Sequence, residues 1–149
     1  MELRPEQVDL TELTRSVSGE FEPVLAQHDS HLEVRVPSGR IEAVCDPVRV
    51  AQIVRILIDN ALVHTPSGSR IMVTARRSDG AVRLAVRDDG EGIDPQAIGR
   101  IFEPFYTADD AQGSGLGLAI ASELAEAMSG RLSVHSEPGA TTFTLDLPA

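Results

Sequence analysis

The sequence has no lysine and few aromatic residues, and these absences limit its possible functions. All 13 basic residues of the 149 are arginines, against 23 Asp and Glu, so the formal net charge is −10. A dedicated nucleic-acid binder is disfavoured, because affinity for a phosphate backbone depends on basic surfaces and this chain is acidic. Without lysine, a phosphate-binding site would have to be built from other groups, such as backbone amides or a bound metal ion.

Cysteine and long apolar runs are also scarce. The single Cys45 excludes an internal disulfide framework and a cysteine metal cluster. No apolar run approaches the roughly 18 residues that a membrane-spanning helix needs, and we do not expect the first residues to act as a secretion leader. With 42% hydrophobic residues, the chain is expected to fold as a single domain over residues 1–149, without direct membrane contact.

The periodicity of apolar residues predicts both helices and strands. Spacings of three and four predict a first helix over about 9–26 behind Asp9, a second from Asp46 to about His64, and a third over about 116–128. Alternating runs predict strands near 31–36, 41–44, 71–75, 81–86, 131–136 and 141–147. This order predicts an α/β (α+β) two-layer sandwich, in which a mixed, mostly antiparallel sheet carries three main helices on one face.

The second predicted helix carries the first candidate site. Asn60 and His64 are four residues apart, so both side chains project from one helix face. A carboxamide oxygen is a suitable neutral ligand for Mg²⁺, which prefers oxygen and retains water and phosphate oxygens. Taken alone, Asn60 fits a polar residue on a solvent-facing helix surface at least as well.

A second candidate follows the strand 81–86. Asp88 at a strand end can accept a hydrogen bond from an exocyclic amine, and Gly90 and Gly92 allow close approach of the backbone to a flat ring. The alternative is an ordinary acidic surface turn, because Asp and Gly dominate turns.

A third candidate is the glycine-rich loop that opens the last predicted helix. The stretch from Gly113 to Ile120 reads GSGLGLAI, and bare amides at a helix N-terminus form an anion site. The pattern matches neither the Rossmann nor the P-loop motif. The alternative is a flexible loop before a helix.

Three of the five aromatic residues lie together in residues 101–106, IFEPFY. They could anchor a mobile lid against the core, or they could form a small satellite hydrophobic cluster.

The order and spacing of these segments resemble the ATP-binding catalytic domain of bacterial sensor histidine kinases. That domain belongs to the GHKL superfamily, shared with DNA gyrase B, MutL and heat-shock chaperone ATPases. RILIDNALVHTP resembles the N box (55–66) and DDGEGI the first glycine box (88–93). IFEPFY resembles the F box (101–106), followed by a lid (about 106–114), and GSGLGL resembles the second glycine box (113–118). VDLTEL, CDPVRVAQIV and GATTFTLDLP extend the resemblance over nearly the whole chain.

This resemblance implies a Bergerat-type fold that binds Mg-ATP between the N-box helix and the lid. Asn60 would be the Mg²⁺ ligand and the catalytic residue, and Asp88 would read the adenine amino group. Other residues would contact the nucleotide: Gly90, Gly92 and Ile93 lining the base pocket, Gly113, Gly115, Leu116 and Gly117 at the phosphates, Thr142 below the adenine, and Phe105 as a further nucleotide-binding residue.

The sequence departs from the family pattern at three places. Ile56 stands where the ATP-hydrolysing relatives carry a water-activating Glu, so hydrolysis by that route is disfavoured. Val63 replaces a phosphate-touching Lys or Arg, which leaves His64 as the nearest polar candidate. The lid has Asp109 and Asp110 but no Arg, so we expect modest ATP affinity that depends strictly on Mg²⁺.

None of the four histidines has the sequence context of a phosphoacceptor. We therefore expect this chain to be the catalytic part of a longer kinase, inactive alone and cytoplasmic even if the parent kinase is membrane-bound. Its expected partners are the phosphoacceptor and dimerisation hairpin of the same parent and a downstream response regulator.

Two other functions fit the same segments. One is a stand-alone anti-sigma-factor serine kinase, which shares the fold and has a similar length. The other is a catalytically weakened nucleotide-binding interaction module, which Ile56, Val63 and the acidic lid make plausible. An ATP-driven clamp is least favoured, because Ile56 cannot act as a base.

Overall fold

The structure is a computed structural model that describes residues 2–106 and 115–148. The helices are α1 (Leu10–Gly19), α2 (Glu22–His28), α3 (Pro47–His64) and α4 (Gly117–Ala127). The strands are β1 (Glu6–Asp9), β2 (His31–Arg35), β3 (Glu42–Cys45), β4 (Arg70–Ser78), β5 (Ala81–Asp88), β6 (Arg131–Glu137) and β7 (Ala140–Pro148). In this part of the chain, no helix is long and apolar enough to cross a membrane.

Five strands form the main sheet, in the order β2-β4-β5-β7-β6. The edge strand β2 runs parallel to β4, with His31 opposite Arg70, and the other neighbours are antiparallel. β1 and β3 form a separate antiparallel pair. The prediction of a mixed, mostly antiparallel sheet is confirmed.

The core lies between the main sheet and the helices. Every second residue of the central strands is buried, including Ile71 and Val73 on β4 and Leu84 and Val86 on β5. These side chains pack in one cluster with the buried face of α3, which includes Leu57. Burial of alternate strand positions against a helical stripe explains the two-layer sandwich.

The opposite, outer face of the sheet concentrates positive charge. Alternation along the strands places six of the 13 arginines on this face: Arg35, Arg70, Arg76, Arg83, Arg87 and Arg131. Arg76 lies directly opposite Arg83, and Arg83 donates from Nε to Asp146 Oδ1 at 2.6 Å. The outer face is therefore basic although the whole protein is acidic.

The predicted first helix over 9–26 is wrong in its extent, because the structure divides it into two helices. Asp9 caps α1 as predicted, accepting from the Thr11 backbone N–H at 3.0 Å, but α1 ends at Gly19. Pro23 lies in the first turn of α2 and has no N–H to donate, so α1 cannot continue through it. The described residues thus contain four helices rather than three.

Helix α3 is positioned from its N-terminus. The Asp46 carboxylate is buried and accepts from the backbone N–H groups of Arg4, Val48 and Arg49 at 3.0, 3.1 and 3.3 Å. These bonds, that from Arg4 first, hold the pKa of Asp46 below its usual value. The predicted helix from Asp46 to about His64 is confirmed, and its C-terminal half carries Asn60.

Candidate functional site

One ridge of α3 joins the segments that the sequence singled out. Ile56, Asn60 and His64 lie on successive turns of the same helix face, and exposure increases from half-buried Ile56 to exposed His64. The methyl Cγ2 of Ile56 is 3.5 Å from the position that a Cβ on Gly117 would occupy. The ridge therefore begins under the first turn of α4, where the second glycine box enters the helix.

The first glycine box lies at the other end of this ridge. A Cβ on Gly90 would be 3.1 Å from Thr65 Cγ2 and 3.6 Å from the His64 carbonyl oxygen. The loop that follows β5 is thus packed on the C-terminal end of α3. Asn60 lies one turn before His64, between the two glycine boxes along the helix.

Asp88 is the last residue of β5 and is 7% exposed. Its Oδ1 accepts from the Gly90 backbone N–H at 3.0 Å. Burial raises the pKa of Asp88, and the Gly90 N–H opposes this shift. The Asp89 carboxylate raises the same pKa and His64 lowers it. The result is a buried acceptor with oxygen lone pairs left for a ligand that donates hydrogen bonds.

The rest of the first glycine box is fixed by β6. Gly92 has φ of +93°, and a Cβ there would lie 2.7 Å from the Glu137 carbonyl oxygen, so both conformation and space require glycine. The Ile93 backbone N–H donates to Ser136 Oγ at 2.7 Å. The backbone of β6 therefore sets the position of this loop.

The F box and the second glycine box are joined by their backbones. The Phe105 N–H donates to the Gly115 carbonyl oxygen at 2.9 Å, and a Cβ on Gly115, whose φ is +76°, would be 2.7 Å from Phe105 C. Leu116 is the N-cap residue of α4 and its side chain makes no capping hydrogen bond, and the partial positive charge at this end of the helix would attract an anion. The predicted phosphate contact Gly113 and the lid residues 107–114 lie outside the described residues.

The aromatic residues of the F box divide into two groups. Phe102 packs edge-on against Phe143 of β7, with ring centroids 6.1 Å apart, and the Arg100 guanidinium lies 4.6 Å from the Tyr106 ring centroid. Phe105 is 74% exposed and has a left-handed backbone with φ of 64°. Phe102 thus anchors this segment to the core, and Phe105 presents its ring to the surface.

The structure places Thr142 on the other side of the sheet from Asp88. Residue Thr141, not Thr142, lies directly opposite Asp88 in the β5–β7 register, and its side chain is 4% exposed. Thr142 alternates onto the outer face, opposite Arg87. The predicted contact Thr142 therefore lies on the opposite sheet face from Asp88, and Thr141 is the threonine on the same face as Asp88, as the period of two set by Phe143, Leu145 and Leu147 indicates.

A groove of about 570 Å³ lies along β2, β4 and the end of β5. Its lining includes Glu33, Met72 and Arg87, which share the outer face, and it also reaches Asp88 and Asp89. Of the described residues, neither Asn60 nor the glycines Gly90, Gly92, Gly115 and Gly117 line it. This groove is therefore separate from the surface that joins α3 to α4.

The candidate metal-binding group of the site fits a metal ion that takes most of its ligands from a bound phosphate compound and from water. Within residues 2–106 and 115–148, no group of three or more His, Cys, Asp or Glu side chains could hold a metal ion. One carboxamide oxygen from Asn60 suits Mg²⁺ that completes its shell with phosphate oxygens and water, rather than an all-protein cage. The site thus combines the buried carboxylate of Asp88, the N-terminal end of α4 and the half-buried carboxamide of Asn60.

Comparison with known families gives one match over most of the chain. Residues 45–149 match the family described as histidine kinase-, DNA gyrase B-, and HSP90-like ATPase. The matched span includes both glycine boxes, the F box and the N box.

Curated relatives are sensor kinases. The chain is 36% identical over 148 residues to the sensor protein IrlS of Burkholderia pseudomallei, covering 95% of this chain and 31% of that protein. It is 33% identical over 147 residues to the signal transduction histidine-protein kinase BaeS of Escherichia coli, covering 95% of this chain and 31% of that protein. The chain spans about a third of the length of these relatives.

Solved structures share the fold. Full-length ShkA in complex with AMPPNP superimposes with a TM-score of 0.91 and 35% identity, over 99% of this chain and 32% of that chain. The catalytic domain of the histidine kinase ThkA, in a nucleotide-free form, gives a TM-score of 0.90 at 25% identity, over 98% of this chain and 96% of that chain. The predicted two-layer sandwich of the histidine kinase catalytic domain is confirmed.

Proposed function

This chain belongs to the histidine kinase-, DNA gyrase B- and HSP90-like ATPase family, and from that premise we propose that it binds Mg-ATP between α3 and the start of α4. We further propose that it supplies the γ-phosphoryl group for histidine autophosphorylation in a two-component signalling kinase. The observation that carries the proposal is the single ridge of α3, which contacts the second glycine box at Ile56 and the first glycine box at His64.

The base would be recognised at the end of β5. The adenine amino group would donate to the Asp88 carboxylate, with Gly90, Gly92 and Ile93 beside the ring. Thr141 is added to this set because it lies opposite Asp88 on the same face of the sheet. A buried acceptor is selective for a donor, because a mismatched group would leave it without a partner.

The phosphates would lie between Asn60 and the amino end of α4. Backbone N–H groups of Gly115, Leu116 and Gly117, and of Gly113 outside the described residues, would contact them. Asn60 would hold Mg²⁺, which neutralises phosphate charge and orients the γ-phosphoryl group; His64 is the further phosphate candidate. This arrangement needs no lysine.

Transfer to a protein histidine is favoured over hydrolysis. Ile56 lies one turn before Asn60 and has no group that can activate water. Phosphoryl transfer depends chiefly on positioning and charge neutralisation, so a strong base on this chain is not required. We propose that the acceptor lies on the phosphoacceptor and dimerisation hairpin of the same parent kinase, that a response regulator follows it, and that the domain is cytoplasmic.

Calorimetry tests the nucleotide site. We expect ATP to bind with Mg²⁺ and at least about tenfold more weakly after chelation with EDTA, since Mg²⁺ offsets phosphate repulsion. Asn60→Ala should remove most of this Mg²⁺ dependence. The matched control is Asp59→Ala, an exposed neighbour on α3, which should bind Mg-ATP like the unsubstituted chain. Equal affinity with and without Mg²⁺ would contradict the metal assignment.

A transfer assay tests the reaction. The chain is mixed with γ-labelled ATP and the hairpin domain of the parent kinase. The control contains the chain and γ-labelled ATP without the hairpin domain. We expect an acid-labile phosphoryl group on the hairpin and none on the chain alone, since a phosphoramidate is hydrolysed in acid. An acid-stable phosphoserine on another protein would instead indicate the anti-sigma-factor type of kinase.

A catalytically weakened nucleotide-binding module is the second candidate. Ile56 and exposed Val63 favour it, because they leave helix α3 without a base or a fixed cation at these positions. Measurable Mg-ATP binding combined with no transfer to the supplied hairpin would support this candidate over the kinase.

A further inference from the structure

One hydroxyl group ties together the three segments around the base-recognition residues. Ser136 lies near the end of β6, and its Oγ accepts from the Ile93 backbone N–H at 2.7 Å. The same Oγ lies 2.8 Å from Thr141 Oγ1. A single atom thus connects the first glycine box, β6 and β7 beside Asp88.

We propose that Ser136 is a positioning residue that sets the direction of the hydrogen bond offered by Thr141 to the base. The Ile93 N–H can only donate, so it occupies one of the two lone pairs of Ser136 Oγ and leaves Ser136 with one lone pair and its hydroxyl proton. In the proposed network Ser136 donates this proton to Thr141 Oγ1, and the hydroxyl proton of Thr141 is then free to point toward the base. Bonds in such a chain strengthen one another, because each donor is polarised by the bond it accepts.

This polarity matches one kind of purine edge. Adenine presents a donor at its 6-amino group and an acceptor at ring N1, which complement the Asp88 acceptor and a Thr141 donor. Guanine presents the reverse, an acceptor at O6 and a donor at N1–H, so both positions would clash electrostatically. Asp88 and Thr141 lie opposite each other on the same sheet face, as a paired reading requires.

The surrounding backbone leaves Ser136 little freedom. A Cβ on Gly92 would lie 3.2 Å from Ser136 Oγ and 2.7 Å from the Glu137 carbonyl oxygen, so the loop passes directly over this part of β6. Ser136 is half-buried and Thr141 is buried. A close approach of this kind fixes the distance between Ser136 and the base pocket.

The test measures base recognition rather than folding, and it rests on the proposed ATP binding. Calorimetry compares ATP with 1-deaza-ATP, which keeps the 6-amino group and replaces N1 by C–H, on the parent chain and on Ser136→Ala. We expect the substitution to weaken the binding of ATP about three- to tenfold, the range for one neutral hydrogen bond. It should weaken the binding of 1-deaza-ATP less than about twofold. Ser133→Ala is the matched control, since Ser133 lies on β6 opposite Thr144 and away from this network.

The outcomes distinguish the proposed role of Ser136 from the proposed ATP site. Ser136→Thr keeps the hydroxyl and should restore the preference for ATP over 1-deaza-ATP. Equal weakening of both nucleotides by Ser136→Ala would overturn the proposal, because Ser136 would then act through the position of the loop alone. If Ser136→Ala fails to fold, a parent chain that binds both nucleotides equally would also overturn it. A parent chain that binds neither nucleotide would refute the proposed ATP site itself.

Discussion

At the scale of single residues, Asp88 carries a cost in folding that a ligand can recover. Burial raises the pKa of its carboxyl, so ionisation is less favourable in the folded than in the unfolded protein. A group with a raised pKa stabilises the fold below its unfolded pKa, and this contribution is lost as pH rises through the folded pKa. Ionised Asp88 therefore costs stability in the folded protein, and a ligand that donates a hydrogen bond to the carboxylate would recover part of that cost.

Asp88→Asn separates these two effects. We expect ATP to bind about 10- to 100-fold more weakly, because a hydrogen bond to a charged acceptor is lost. The free energy of unfolding at pH 7 should stay equal or rise, since the buried charge is removed. Calorimetry and urea denaturation measure the two quantities, and Asp89→Asn is the control on the exposed neighbour. A large loss of stability in Asp88→Asn would contradict this account.

The same group predicts a pH dependence of binding. ATP affinity of the parent chain should fall as pH decreases through the pKa of Asp88, which lies above the ordinary Asp value of about 3.9, since the protonated carboxyl is a poorer acceptor. Asp88→Asn should lack this component and retain only the titration of the nucleotide phosphates. Parallel pH profiles for both chains would show that Asp88 does not titrate against the base.

Residues in regular patterns could be predicted from the sequence, and residues defined by register could not. Asp88 and Asn60 stand in recognisable motifs, and the structure brings their segments together. The sequence pointed to Thr142 rather than to Thr141, which the structure places opposite Asp88, because adjacent threonines differ only in which sheet face they occupy. The hydrogen bond to Ser136 could not be predicted, because its partner Ile93 is 43 positions away in the chain.

At the scale of elements, the first glycine box depends on its close approach to β6. Gly92→Ala would place a Cβ 2.7 Å from the Glu137 carbonyl oxygen at a φ that side chains rarely adopt. We expect a loss of about 1–3 kcal/mol in the free energy of unfolding and weaker ATP binding, since the loop must shift. Gly99→Ala is the matched control, because nothing lies within 4 Å of its Cβ position. Urea denaturation and calorimetry would show equal effects of the two substitutions if β6 did not hold the loop.

Helix α3 depends on its cap in the same way. Asp46→Ala removes an acceptor of three backbone N–H groups, so we expect the free energy of unfolding to fall by about 1–2 kcal/mol. Since the pKa of Asp46 is lowered, its contribution is present above its unfolded pKa and disappears as pH falls through the folded value. Denaturation at several pH values checks this, with Asp59→Ala, an exposed residue in the C-terminal half of α3, as the control. A difference between Asp46→Ala and the parent that persists unchanged in strong acid would contradict it.

Element boundaries followed from local signals where those were strong. Asp46 and Pro47 fixed the start of α3, and alternation fixed the hairpin of β4 and β5. The division of the first helix required Pro23 to outweigh a continuous apolar stripe, and β1 has four residues, too few for alternation to identify. β1 is defined by its pairing with β3, which local sequence does not reveal.

At the scale of the whole molecule, nucleotide binding should be visible as stability. A ligand present at about 100 times its Kd stabilises the folded state by about 2.7 kcal/mol, which corresponds to roughly 5–10 °C in Tm for a chain of this size. We expect Mg-ATP to raise Tm in this range, as measured by scanning calorimetry. Mg-GTP at the same concentration is the control and should leave Tm nearly unchanged, and an equal shift with both nucleotides would contradict selection of the base by Asp88.

The parallel pairing of β2 with β4 has a consequence for the order of events in folding. Parallel neighbours cannot be joined by a tight turn, so the chain leaves β2, forms β3 and α3, and returns as β4. The β4–β5 hairpin can form within about 1–10 μs, whereas closing this crossover costs entropy before its contacts form. Because the crossover contains α3 and therefore Asn60, refolding chains should acquire the hairpin early and competence for nucleotide only at the slow step. The pairing of β2 with β4 and the formation of the proposed nucleotide site should then occur in the same kinetic step.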